Sequence, residues 1–116
     1  MTESRTLQKI KDMIAYGNHE LLNFPKIERS AMVAEIKQAM YKLVFMCVQC
    51  DQKFYKKNTL QDMSTQNNYI QVLISIAASR EHQYISIKKL EIWSGYLTDI
   101  GKMIGARRRQ ETQKQG

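Results

Sequence analysis

Cys47 and Cys50 stand three positions apart and are the only cysteines of the chain. A C-x-x-C pair does redox chemistry when it opens a helix after a strand, because the helix N-terminus lowers a thiol pKa. Here both residues fall deep inside a helical pattern, on or beside its apolar stripe, where a free cysteine acts as a small apolar residue. A zinc site needs two more ligands, and His19 and His82 lie in other segments without partnering cysteines. Each histidine has a neighbouring glutamate, Glu20 or Glu81, but no serine, cysteine or aspartate is placed to make a nucleophile and relay. Carboxylates are scattered singly, and no glycine-rich phosphate loop is present. The sequence therefore predicts no catalytic residue, no metal and no cofactor.

The remaining chemistry is positive charge. Eighteen lysines and arginines against eleven acids give a net charge of +7, with a pI near 9.5. That excess points to a polyanion, nucleic acid before an anionic membrane surface, although it also serves solubility. The cations are clustered. Arg5 and Lys9 lie near the start, Lys53, Lys56 and Lys57 near the middle, and Lys102 with Arg107, Arg108 and Arg109 near the end. These nine are the candidate nucleic-acid-binding residues.

Four helical patterns position them. The first covers about residues 4–22, with Ser4 as N-cap and Leu7, Ile10, Ile14, Gly17 and Leu21 in a seven-residue repeat. Pro25 ends it and suits the first turn of the next helix, 25–55. That helix is the longest pattern. Its seam reads Met32, Ile36, Ala39, Leu43, Met46 and Cys50, flanked by Val33, Met40, Cys47 and Phe54. The third helix, 59–81, is capped by Asn58 or Thr59 and carries Leu60, Met63, Ile70, Ile74 and Ala77, interrupted by Asn67. The fourth, 86–105, is capped by Ser86 and carries Leu90, Trp93, Leu97, Ile100 and Ile104. Gly101 and Gly105 allow close helix approach, or Gly105 stops the helix in a left-handed conformation. The tail 107–116 lacks an apolar period and is expected to be flexible.

Four helices, short links and no strand pattern predict one all-α domain, an up-down-up-down antiparallel four-helix bundle over residues 1–106. The topology gathers the basic clusters at one end. Apolar lines remain outside the seams: Tyr41, Phe45 and Val48 on the second helix, and Ile92, Tyr96 and Met103 on the fourth. They are the candidate oligomer interface. The longest apolar run, Leu43 to Val48, is far short of the ~20 residues of a membrane span. The first residues lack a signal-peptide core, so a cytoplasmic location and no membrane partner are expected.

The F-P-K-x-E-R of Phe24 to Arg29, the turn Tyr84-Ile85-Ser86 and the ending Leu97 to Gly105 before a basic tail together resemble a known family. It comprises the four-helix-bundle accessory variability determinant (Avd) proteins of diversity-generating retroelements. A related branch, encoded in intervening sequences of bacterial rRNA genes, shares the F-P-x-x-E start. The resemblance implies a basic homopentameric barrel that binds RNA or DNA and the element's reverse transcriptase, without catalysis by the bundle. The branch implies an alternative, a structural or interaction oligomer with no nucleic-acid role. Gln71 to Ser79 is uncharged where Avd proteins usually carry arginines. Gly105-Ala106-Arg107 stands where the family often has G-G-W.

Overall fold

Residues 3–115 are described by the computed structural model; Met1, Thr2 and Gly116, the ends of the N-terminal and tail segments read above, lie outside the described residues. The elements are α1 (Arg5–Leu21), a 3₁₀ turn (Lys26–Glu28), α2 (Met32–Gln52), α3 (Lys57–Ala78) and α4 (Ile87–Gln115). Among the described residues there is no strand. α1 packs on α2 and α4, and α3 packs on α2 and α4; among the described residues the backbones of the diagonal pairs stay apart. This is the square section of the expected antiparallel bundle.

The core follows the helical period. Ile10, Met13, Leu43, Leu60, Met63, Ile70, Ile74, Trp93, Leu97 and Ile100 are fully enclosed. On α2 the enclosed residues are Val33, Ile36, Ala39, Met40, Leu43, Cys47 and Cys50. Met32 and Met46, placed in the seam by the sequence, are only partly covered. The true seam is thus rotated toward the line read as its flank. Asn67 interrupts the α3 core because its Nδ2 donates to the Leu97 carbonyl, at 2.9 Å. A polar residue there ties α3 to α4.

Gly17 has a steric reason. A Cβ at this position would meet Trp93 Cζ2 at 2.6 Å and Met40 Sδ at 3.0 Å. The indole has no free volume to retreat into, since Trp93 is wholly buried.

Local chemistry sets the helix ends. Ser4 Oγ accepts from Leu7 N at 3.1 Å, and Ser86 Oγ accepts from Lys89 N at 3.2 Å, so both expected N-caps are present. The second helix does not begin at Pro25. The proline leads into the 3₁₀ turn, and Ala31 has φ −121° and ψ −99°, which break the helix before Met32. Glu28 then reaches forward to cap it, Oε1 accepting from Met32 N at 3.3 Å. The helix stops at Gln52 rather than Tyr55. α3 starts at Lys57, with Lys56 rather than Asn58 or Thr59 at the cap, and it ends at Ala78 rather than Glu81.

The last helix departs most from expectation. It neither stops at Gly105 nor gives way to a flexible tail; it runs to Gln115, and no glycine among the described residues has positive φ. Glu111 is buried on this extension and accepts from the Lys56 backbone N–H at 3.4 Å, at the start of α3. A carboxylate there answers the positive helix N-terminus. Lys114 donates to the Phe54 carbonyl at 3.1 Å and lies 4.0 Å from the centre of that ring. Polar contacts to the α2–α3 connection replace the missing apolar period.

Gly17→Ala should destabilise the bundle. Overpacking costs about 1–3 kcal/mol, and the better helix propensity of alanine returns only about 1 kcal/mol. Urea unfolding is the measurement, and a lower midpoint with an unchanged slope is the expected result.

Candidate functional site

The expected basic end exists as a place. The start of α1, the end of α2, the start of α3 and the end of α4 meet there, as the bundle topology requires. Side-chain geometry then sorts the nine candidate cations into two groups.

Four of them are engaged within the fold. Arg107 Nη2 lies 2.7 Å from Asp51 Oδ1 and 3.6 Å from Cys50 Sγ. Both ion-pair side chains are about one quarter exposed or less. Burial alone would lower the guanidinium pKa, but the bond to Asp51 and the neighbouring thiols outweigh it and raise it. Lys56 donates to the Cys50 carbonyl at 2.8 Å and also to that of Lys53, so it satisfies the open end of α2. Lys53 donates to Thr59 Oγ1 at 2.9 Å. Lys9 pairs with Asp99 at 3.4 Å and stands over the Tyr96 ring.

The other five are exposed, and none forms an ion pair with a described residue. Lys57 and Arg108 line a cleft of about 140 Å³ with Asn58, Gln61 and Thr112. Arg108 and Arg109 line an adjoining groove of about 330 Å³ that again includes Thr112. Gln61 Oε1 accepts from Arg108 at 2.5 Å and holds its guanidinium over the cleft. Lys102 is exposed on α4 less than two turns from Arg108. Arg5 is brought elsewhere, into a groove of about 480 Å³ with Thr6, Met103 and Arg107 between α1 and α4. Sequence reasoning missed Asn58, Gln61 and Thr112, because neutral polar residues on a helix carry no signal until a neighbouring helix is placed beside them.

The cysteines are buried beneath this end. Cys47 Sγ lies 3.9 Å from Ser4 Oγ and from Asp51 Oδ2. Burial, and then the Asp51 charge, push its thiol up to about 11. Burial likewise raises Cys50, against the opposing pull of Arg107 and Lys56. Thiols held protonated are poor nucleophiles at neutral pH. Among the described residues no group of histidine, cysteine and acidic side chains could hold a metal ion.

The candidate interface residues divide as well. Tyr41, Phe45, Val48 and Ile92 are exposed, Phe45 by 60%. Tyr96 and Met103 are half-buried. Tyr96 packs on Tyr16 with ring centroids 5.7 Å apart, and Met103 lines the Arg5 groove. α1 has covered part of the helix-four line. Further exposed apolar residues, Tyr69, Val72 and Ile76, lie on α3.

The Phe24–Arg29 and Tyr84–Ser86 motifs meet at the opposite end. Phe24 is buried against Tyr84 with ring centroids 5.4 Å apart, and the Tyr84 hydroxyl donates to Glu28 Oε2 at 2.9 Å. Ile85 is buried and Ser86 caps α4. The segment before α2 is thereby bound to the segment before α4.

The fold and this cationic end define a class, a basic antiparallel four-helix bundle with a charged pole. The family can be named as well. The profile of the bAvd-like family matches residues 6–111, and the chain belongs to that family. No curated protein and no solved structure matches the chain. No helix among the described residues is long and apolar enough to cross a membrane.

Two outcomes follow from the buried cluster. Asp51→Ala, which leaves Arg107 half-buried and unpaired, should loosen the end of α4. Amide exchange over residues 106–115 should rise about tenfold, the equivalent of about 1.4 kcal/mol. Cys47 contributes stability that is complete below its unfolded pKa, taken as 9.0, and is lost as the pH climbs through about 11. Between pH 8 and 11, approximately the span of that shift, wild type should therefore lose more unfolding free energy than Cys47→Ala does. The comparison cancels the tyrosines that titrate in the same range.

Proposed function

We propose that this protein is a non-enzymatic accessory protein of a diversity-generating retroelement. It acts in the cytoplasm, binding RNA or DNA and the element's reverse transcriptase through the cationic end of an oligomeric bundle. The observation that carries the reading is the convergence of Lys57, Arg108 and Arg109 on adjoining open grooves, with no acid paired to them among the described residues. Helix-end electrostatics account for Lys56, and an ion pair accounts for Arg107. Neither accounts for these three. Arg108 and Arg109 offer planar forks suited to phosphate oxygens, and Asn58, Gln61 and Thr112 add neutral partners. Lys102 extends the surface along α4, and Arg5 adds a second contact across the helix.

Oligomerisation is the other half of the reading. Tyr41, Phe45 and Val48 on α2 and Ile92 on α4 are exposed on two different helices. Two unlike faces suit a head-to-tail contact, which closes into a ring when the rotation permits. Five subunits is the number that the family resemblance implies.

Affinity for a structured RNA should fall steeply with salt, with a slope of roughly 0.7 to 0.9 per phosphate engaged. Replacing Lys57, Arg108 and Arg109 by glutamine should weaken binding about tenfold or more and lower that slope by about two to three. The oligomeric mass and melting temperature should not change. Unchanged affinity in this variant overturns the assignment. If wild type does not bind even at low salt, the alternative gains, a structural oligomer of the rRNA intervening-sequence type. Phe45→Glu should reduce the mass seen by light scattering while helix content stays constant, whichever reading holds. A monomeric wild type would refute the ring.

A further inference from the structure

The end of the bundle away from the cationic grooves carries a second, unlike surface. A pocket of about 380 Å³ opens between the end of α1 and the start of α2. Its floor is apolar, formed by Leu21, Phe24 and Val33, and Arg29 and Lys37 stand at it. Neither cation forms an ion pair with a described residue. The acids that could reach them are turned elsewhere, Glu28 to Tyr84 and Glu35 to Tyr69. Asn18, also in the lining, has a buried side-chain carbonyl oxygen with no hydrogen-bond donor. The connection that follows α1 carries Leu22 at 79% and Ile27 at 83% exposure, the most exposed large apolar side chains of the chain's described residues. Packing does not explain them, since neither is part of the core or packed against it.

We infer that this surface docks an acidic segment of a protein partner, one large apolar side chain entering the pocket beside a carboxylate. Each half of that chemistry answers an observed feature. The apolar floor takes the anchor, as interface pockets do. Arg29 and Lys37 pair the carboxylate, which is drawn to the site by complementary charge. The pocket is too open to bury most of a small molecule, which favours a segment that extends beyond it. Leu22, at the pocket's edge, and Ile27 outside it supply further apolar area. The site does not depend on nucleic-acid binding at the other end.

The test is a selection of random twelve-residue peptides displayed on phage. One target is wild type, another is Arg29→Glu with Lys37→Glu, and a third is Leu22→Ser with Ile27→Ser. Wild type should enrich peptides that place aspartate or glutamate next to phenylalanine, leucine or tryptophan. An enriched peptide, synthesised and labelled, should lose tenfold or more in affinity on either variant and keep its affinity for Arg108→Gln with Arg109→Gln. The substituted residues are exposed or half-exposed, so melting temperatures should remain near wild type. No enrichment, or a motif that binds the charge-reversed protein equally well, overturns the inference. A fall in oligomeric mass in the charge-reversed variant also overturns it, because the surface would then join copies of this chain.

Discussion

The packing of Trp93 against Gly17 sets the geometry on which the rest of the bundle depends. The largest side chain in the core is fully enclosed and sits where a single added methyl group on α1 would collide with it. That contact fixes how closely α4 approaches α1, and Met40 brings α2 to the same point. Close-packed interiors transmit such constraints because they contain little free volume. Tyr16 packs edge-on against Trp93 and side by side with Tyr96, extending the same junction outward. Part of the outer apolar line of α4 is thereby used within the bundle, whereas Tyr41, Phe45 and Val48 on α2 stay exposed.

Charge at the far end is organised by the same logic of occupied and unoccupied partners. Arg107 and Asp51 join α4 to α2, Lys56 satisfies the carbonyls that end α2, and Glu111 answers the start of α3. These groups make the long last helix possible. Only once they have been assigned does the residual set emerge, in which Lys57, Arg108 and Arg109 border shared grooves without acidic partners. The pole is therefore two layers, an inner one that holds the helix ends and an outer one that faces solvent.

The family motifs speak mainly to the inner architecture. Phe24, Glu28, Tyr84 and Ser86 hold two connections together and start two helices. The residues that carry the resemblance thus do structural work, and fold alone does not convey function. Arg29 is the exception within the motif, standing outside that network at a pocket floored by Phe24.

The sequence by itself determined the class of fold, the number of helices, the caps at Ser4 and Ser86 and most of the enclosed residues. All of these depend on the helical period and on neighbours within a few positions, which any reader of the chain can count. The burial of the two cysteines was legible for the same reason. The start of α2 was not, because its break at Ala31 and the cap from Glu28 arise where two connections pack together. The extension of α4 was hidden too, since its stabilising partners are Lys56 and Phe54, far away in the chain. Tertiary structure alone decided which cations are bound and which are open. Arg107 and Arg108 are adjacent in sequence, yet one faces Asp51 and the other Gln61. Helical rotation turns neighbouring residues toward different helices, and only the packed bundle determines what waits there.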